Sequence, residues 1–209
     1  MKRLIAITSD TFISQESILI VTALNAGIEY IHLRKPSATR AQLDMLLSEI
    51  PPEFHSRIIL NDHHELAQQY NVGGLHINNR CPAIPDWWNG RVSRSCHSIA
   101  EIKEHKDRYD YLFLSPIYDS ISKRGYRAAF SHNQLLAARD TLDDKIIALG
   151  GITPHNLHRT LQYGFGGVAI LGYLWQTSEI TQLTKRVELL KNEIICYNSS
   201  HTTPTDTTI

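Results

Sequence analysis

The chain has 209 residues, enough for one large core and ordinary for a compact α/β barrel. Lys plus Arg and Asp plus Glu both total 21, so no global field attracts nucleic acid or an anionic membrane, and any anion site has to be local. Cys81, Cys96 and Cys196 lack C-x-x-C spacing, the start MKRLIAITSD lacks a signal-peptide core, and no window approaches the roughly 20 apolar residues of a bilayer span, which together predict a cytoplasmic protein without a disulfide framework.

Leu4 to Thr8 reads as a first strand and Gln15 to Ala26 as a first helix that Gly27 stops. Tyr30 to Leu33 is a second strand leading into Arg34, Lys35 and Pro36. Thr39 can cap the next helix, and Pro51 and Pro52 end that unit. Arg57 to Leu60 is a third strand running into Asn61 and Asp62, with a helix around Leu66 to Tyr70; Gly74 to Ile77 is a fourth strand. The stretch NNRCPAIPDWWNG is too broken for a long helix, and Trp87 and Trp88 read as a packed cap rather than a ligand cage. Arg91 to Ser95 is a fifth strand, followed by a helix through His105 that opens on a capping box of Ser98 and Glu101. Tyr111 to Leu114 is a sixth strand, then comes a long polar loop, SPIYDSISKRGYRAAFS, and a helix from Leu135 to Leu142.

The stretch IIALGGITPHNLHRTLQYGFGGVAILG, residues 146–172, reads as strand, glycine turn, helix, glycine turn and strand. Thr153 and Pro154 suit the cap and first position of its helix. These are strands seven and eight, so the count predicts a single-domain (β/α)₈ TIM barrel over residues 1–195, closed by a helix from Ile180 to Ile195. An open doubly wound sheet is the alternative, but no G-x-G-x-x-G follows the first strand. Residues 196–209, rich in Ser and Thr, are expected to form a disordered tail.

In such a barrel the chemistry sits at the carboxyl ends of the strands. Those ends carry His32, Arg34, Asn61, Asp62, His76, Ser95 and His97; the loop after strand six adds Ser120, Ser122 and Lys123, and the last two strands add glycines, Gly151 and Gly172 among them. Cations, imidazoles, one carboxylate and an anion cradle at one mouth suggest a phosphorylated small molecule. His32 and Arg34 share one strand parity, as do Ser95 and His97, whereas Cys96 has the other, which argues against a Cys96–His97 nucleophile pair. The histidine pairs 63, 64 and 155, 158 have no carboxylate in an H-E-x-x-H arrangement, which argues against zinc hydrolysis.

The pieces IHLRKP (31–36), ILNDHHELA (59–67), GLHI (74–77), SRSCHS (93–98), FLSPIYDSISKRG (113–125), IIALGGITPHN (146–156) and GGVAILG (166–172) follow one another in the order and spacing of a known family. On them the chain resembles the thiamine phosphate synthase and TenI family from Leu4 to about Leu174. The resemblance implies a barrel, often dimeric, that binds a small phosphorylated thiazole in thiamine biosynthesis. Arg34, Asn61, Asp62, Ser95, Ser120, Ser122, Lys123 and Gly151 stand at matching positions, with Asp62 as a Mg²⁺ ligand if the ion is bound. There are departures: His32 replaces a Gln, Pro36 replaces a Lys, and Cys81 replaces the second magnesium aspartate.

A departing diphosphate needs its charge neutralised, so these losses point away from synthase chemistry and toward the TenI branch. The resemblance then implies a thiazole tautomerase, without a cofactor, in which His97 serves as acid and base to aromatise a carboxythiazole phosphate, with His32 as a second catalytic candidate. The alternatives are a thiamine phosphate synthase joining pyrimidine diphosphate to thiazole phosphate with Mg²⁺, and a non-catalytic thiazole or thiamine phosphate sensor.

Overall fold

A computed structural model describes residues 2–119 and 127–201. Among the described residues eight parallel strands close into a barrel in sequence order: β1 (Arg3–Ile7), β2 (Tyr30–Leu33), β3 (Ile58–Leu60), β4 (Gly74–Ile77), β5 (Val92–Cys96), β6 (Tyr111–Leu114), β7 (Ile146–Leu149) and β8 (Gly167–Ile170). The ring is shut by β1 on β8, with Leu4 beside Val168 and Ala6 beside Ile170. This is the expected (β/α)₈ barrel. The outer helices are α1 (Glu16–Ala26), α2 (Arg40–Glu49), α3 (Ile99–His105), α4 (His132–Ala137), α5 (Pro154–Gln162) and α6 (Ile180–His201).

Alternation along each strand splits the core in two. Leu4, Ala6, Ile31, Leu33, Leu112, Leu114, Val168 and Ile170 point outward and bury the apolar stripes of the helices. Ile5, Ile7, Tyr111, Phe113, Ile147 and Ala169 fill the barrel interior. Cys96 falls in the outer layer, as its parity requires, and burial pushes its thiol up to about 12.

Three helices differ from expectation. The helix expected around Leu66–Tyr70 is a 3₁₀ turn at His64–Gln68, entered through His63 at φ +53°. The link from β3 to β4 is short, and a 3₁₀ turn rises about 2.0 Å per residue against 1.5 Å for an α-helix, so it covers more of the barrel's height. The helix expected at Leu135–Leu142 starts earlier because Ser131 accepts from Gln134 N (3.3 Å) while Ser131 N donates to Gln134 Oε1 (2.8 Å). Finally, α6 runs to His201 rather than Ile195. Tyr197 is buried and donates to Leu161 O of α5 (3.1 Å), and Ser199 and Ser200 bond back to the carbonyls of Ile195 and Cys196 (3.0 Å each). Polar composition alone missed that anchor; residues 202–209 of the expected tail lie outside the described residues.

The loop between β1 and α1 is held by a buried ion pair. Lys35, just past β2, is 1% exposed and donates from Nζ to Glu16 Oε1 (2.6 Å), Thr11 O (2.7 Å) and Ser9 O (2.9 Å). Burial pulls Lys35 below and pushes Glu16 above their ordinary pKa values, while their mutual contact opposes both shifts. Removing one partner strands the other charge. Lys35→Met is expected to cost ~3 kcal/mol of folding stability in urea titrations, and the double change Lys35→Met with Glu16→Gln to recover part of it.

Candidate active site

The carboxyl ends of the strands carry two groups of side chains. One lies at the β2–β4 edge. Arg34 pairs with Asp10 of the β1–α1 loop, and its backbone N–H donates to Thr8 Oγ1 (3.0 Å), whose hydroxyl donates to Arg34 O (3.1 Å). Asn61 is 3% exposed, and its carbonyl accepts from Asn78 Nδ2 (2.7 Å). Asp62 accepts from Lys35 N (3.0 Å) on Oδ2 and from Arg80 Nε and Nη2 (2.8 Å each) on Oδ1.

The other group lies at the β5–β7 edge. His97 is exposed, and its Nδ1 donates to Ser115 O (3.1 Å), which leaves Nε2 bare in the neutral tautomer. Its backbone N–H donates to Glu101 Oε2 (3.0 Å), while Ser98 Oγ accepts from Glu101 N (3.1 Å), so the cap of α3 also fixes the histidine. The chain turns from Ser115 through a cis peptide to Pro116, against which Gly150 packs. Gly151 sits at φ +65°, where a Cβ would lie 2.3 Å from Asp119 O, so only glycine fits. Asn156 clamps this turn to the first turn of α5, donating to Gly151 O (3.0 Å) and accepting from Thr153 N (2.9 Å). Gly172 turns the chain directly after β8. Beside His97, a cleft of about 510 Å³ opens between α3 and α4, walled by Lys103, Phe130 and Gln134.

A polar seam through the barrel interior connects the two edges. His32 is fully buried; its Nδ1 donates to Asn61 Oδ1 (3.0 Å) and its Nε2 accepts from Tyr111 OH (2.6 Å). Its ring meets the His76 ring edge to face at 5.0 Å. His76 in turn bonds Ser93 Oγ and Ser95 Oγ (2.8 Å each). Burial drives His32 from 6.5 down to about 3, only partly opposed by Asn61, and drives His76 well below its ordinary value, helped by His32.

His97, Arg34, Asn61, Asp62, Ser95, Gly151 and Gly172 therefore share one end of the molecule. Ser120, Ser122 and Lys123 lie outside the described residues. His32, expected as a second catalytic candidate, lies buried beneath the mouth. Both its ring nitrogens bond protein partners, Asn61 and Tyr111, and burial disfavours its charged form. Sequence reasoning missed Arg80, Tyr111 and the Lys35–Glu16 pair. Parity could have placed Tyr111 in the interior layer with His32; nothing in the sequence signalled the partners of Arg80 or Lys35.

The residues present do not fit a Mg²⁺ site. Both Asp62 oxygens already accept from donors, one of them a guanidinium, and burial, followed by the Asp62 charge, pushes the Cys81 thiol upward and keeps it protonated. Among the described residues no group of three or more His, Cys, Asp or Glu side chains is placed to hold an ion.

A family profile described as thiamine monophosphate synthase matches residues 4–174, a span that reaches all eight strands and both edges of the mouth. The chain belongs to this family. Within the thiamine monophosphate synthase family it is 25% identical over 175 residues to a thiamine-phosphate synthase of Staphylococcus epidermidis, covering 78% of this chain and 82% of that one. To a thiamine-phosphate synthase of Methanococcus maripaludis it is 26% identical over 199 residues, covering 90% and 95%. The solved structure of a thiamine phosphate pyrophosphorylase from Bacteroides thetaiotaomicron superposes with a TM-score of 0.83 at 34% identity, over 92% of this chain and 98% of that one. A thiamine phosphate pyrophosphorylase from Pyrococcus furiosus shares the fold, with a TM-score of 0.75 at 18% identity. The family places the protein in thiamine biosynthesis, and the names of these relatives favour the synthase reading over the tautomerase reading. Among the described residues no helix is long and apolar enough to cross a membrane.

The seam sets a pH dependence. His32 titrates near 3 when folded and near 6.5 when unfolded, so between these values the unfolded chain binds the extra proton. The stability His32 supplies is complete above about pH 6.5 and drains away as pH falls toward 3. Between about pH 6 and 5, urea unfolding should show wild-type stability falling more steeply than that of His32→Gln, by about 1.4 kcal/mol per pH unit.

Proposed function

We propose that this family member binds a thiazole phosphate at the barrel mouth and moves one proton on its ring, aromatising a carboxythiazole phosphate. The observation that carries this reading is the state of Asp62: paired with Arg80 and next to a thiol rather than a second carboxylate, it leaves no pair of acids to manage a departing diphosphate. A tautomerisation expels no anion and needs only a group that gives and takes a proton at a positioned atom.

His97 supplies that group. Its Nδ1 bond to Ser115 O orients the ring and leaves Nε2 to exchange the proton. The phosphate is assigned to the turns at Gly151 and Gly172, the first of which leads into the N-terminus of α5, whose dipole favours an anion. Asn61 has its Oδ1 tied to His32, which leaves its amide nitrogen for the ligand, and Ser95 is held by His76 in the same way.

A second reading, thiamine phosphate synthesis from pyrimidine diphosphate and thiazole phosphate, is favoured by the names of the relatives and by Arg34, Asn61 and Asp62 at the matching positions. The two are separated with the purified protein. Ring aromatisation is followed by ultraviolet absorbance on the carboxythiazole phosphate, and thiamine phosphate formation on the paired substrates with Mg²⁺. Aromatisation is expected, and His97→Ala should slow it by ~10² to 10⁴-fold with little change in KM. Thiamine phosphate formation faster than aromatisation would put the synthase reading first.

A further inference from the structure

The turn after β4 is built to hold one side chain. Asn78 N donates to Cys81 O and Cys81 N to Asn78 O (3.1 Å each), which closes the turn. Asn78 Oδ1 accepts from Arg80 N (2.9 Å) and Cys81 N (3.3 Å), and Asn78 Nδ2 donates to Asn61 O (2.7 Å) at the end of β3. The turn is thus pinned across to the neighbouring strand. Arg80 projects over Asp62 with Nε and Nη2 both 2.8 Å from Oδ1, while Oδ2 is taken by Lys35 N. The Asp62 side chain is 8% exposed, so this contact is shielded from bulk water.

We propose that Arg80 is a specificity-determining residue of the mouth: its guanidinium fills the place beside Asp62 that a divalent cation would take and closes this edge to Mg²⁺. Mg²⁺ requires a near-octahedral shell of oxygen ligands and gives up its waters reluctantly. Here it would meet a carboxylate already paired, a sulfur and a fixed positive charge. A guanidinium needs none of that shell. It is delocalised, weakly hydrated and always charged, and its fork suits one carboxylate at the rim of a partly buried site. The same cleft is walled by Pro36, His63, Glu65 and Cys81, and the outer part of Arg80, 40% exposed, faces solvent there. The arginine therefore holds the rim's negative charge in check without an exchangeable ion. The inference follows from the contact itself and stands apart from which reaction the mouth runs.

The test reads metal rather than turnover, so its outcome is separable from that of the tautomerase reading. Mn²⁺ serves as the probe, with the free ion followed by electron paramagnetic resonance during titration of the full chain. Wild type and Asp62→Asn are expected to leave the same free-ion signal. The double variant Arg80→Gln with Cys81→Asp, which removes the guanidinium and restores a second carboxylate, is expected to bind one Mn²⁺ at least about tenfold more tightly than wild type. Stoichiometric binding by wild type that Asp62→Asn abolishes would overturn the proposal. So would a double variant with native circular dichroism that binds no better than wild type. If the double variant fails to fold, the wild-type and Asp62→Asn titrations decide the question by themselves.

Discussion

Closure of the ring between β1 and β8 is the constraint from which the site follows. Once eight strands are shut into a barrel, alternate residues of every strand must enter a space a few side chains wide and interdigitate there. Aliphatic residues usually fill such a space. Here β1, β7 and β8 supply Ile5, Ile7, Ile147 and Ala169, but β2, β4, β5 and β6 supply His32, His76, Ser93, Tyr111 and Phe113. Four of these nine side chains are therefore polar, and a polar interior is tolerable only when its hydrogen bonds are satisfied. The two imidazoles meet this condition by remaining neutral and using each ring nitrogen on a protein partner.

That seam is what stiffens the mouth. The interior partners end upward at Asn61 and Ser95, so the orientation of these two side chains is settled beneath them and does not depend on a ligand. The rim is fixed by charge. Lys35 is spent on Glu16, Arg34 on Asp10, and Arg80 on Asp62. With those charges paired off, glycine backbone at the ends of β7 and β8 is the feature of the described mouth best suited to an anion, and the glycine turn after β7 is braced by Asn156 rather than by a charged side chain.

Most of the fold was legible because its signals are local. Short apolar runs of buried parallel strand, glycines at their ends and Ser98 or Thr39 before helices all survive reading one residue at a time. The misses have specific causes. The S-x-x-Q of Ser131 to Gln134 is a capping box that would have moved α4 earlier had it been weighed against the apolar residues downstream. The end of α6 depended on one buried tyrosine in an otherwise polar stretch, where average polarity is the wrong statistic. At the site, strand-end position found His97, Asn61, Asp62 and Ser95. What it could not find was pairing: Arg80 and Asp62 are 18 residues apart, on different turns, and no spacing rule joins them.

This difference between position and pairing bears on what family membership implies. A profile spanning Leu4 to Leu174 is satisfied by apolar strands, glycine turns and a few polar residues at strand ends, all of which the scaffold needs whatever reaction it serves. Chemistry depends instead on the partner each of those residues finds. Asp62 next to a second carboxylate is a cation ligand, whereas Asp62 under a guanidinium is half of a neutral pair, and the change from one to the other takes two residues in a turn of four. At about one quarter sequence identity the family's strands and glycine turns are retained, while Cys81, where the resemblance implies an acid, lies in a turn outside every strand. For this chain the β3–β4 edge is where the two readings of its activity part.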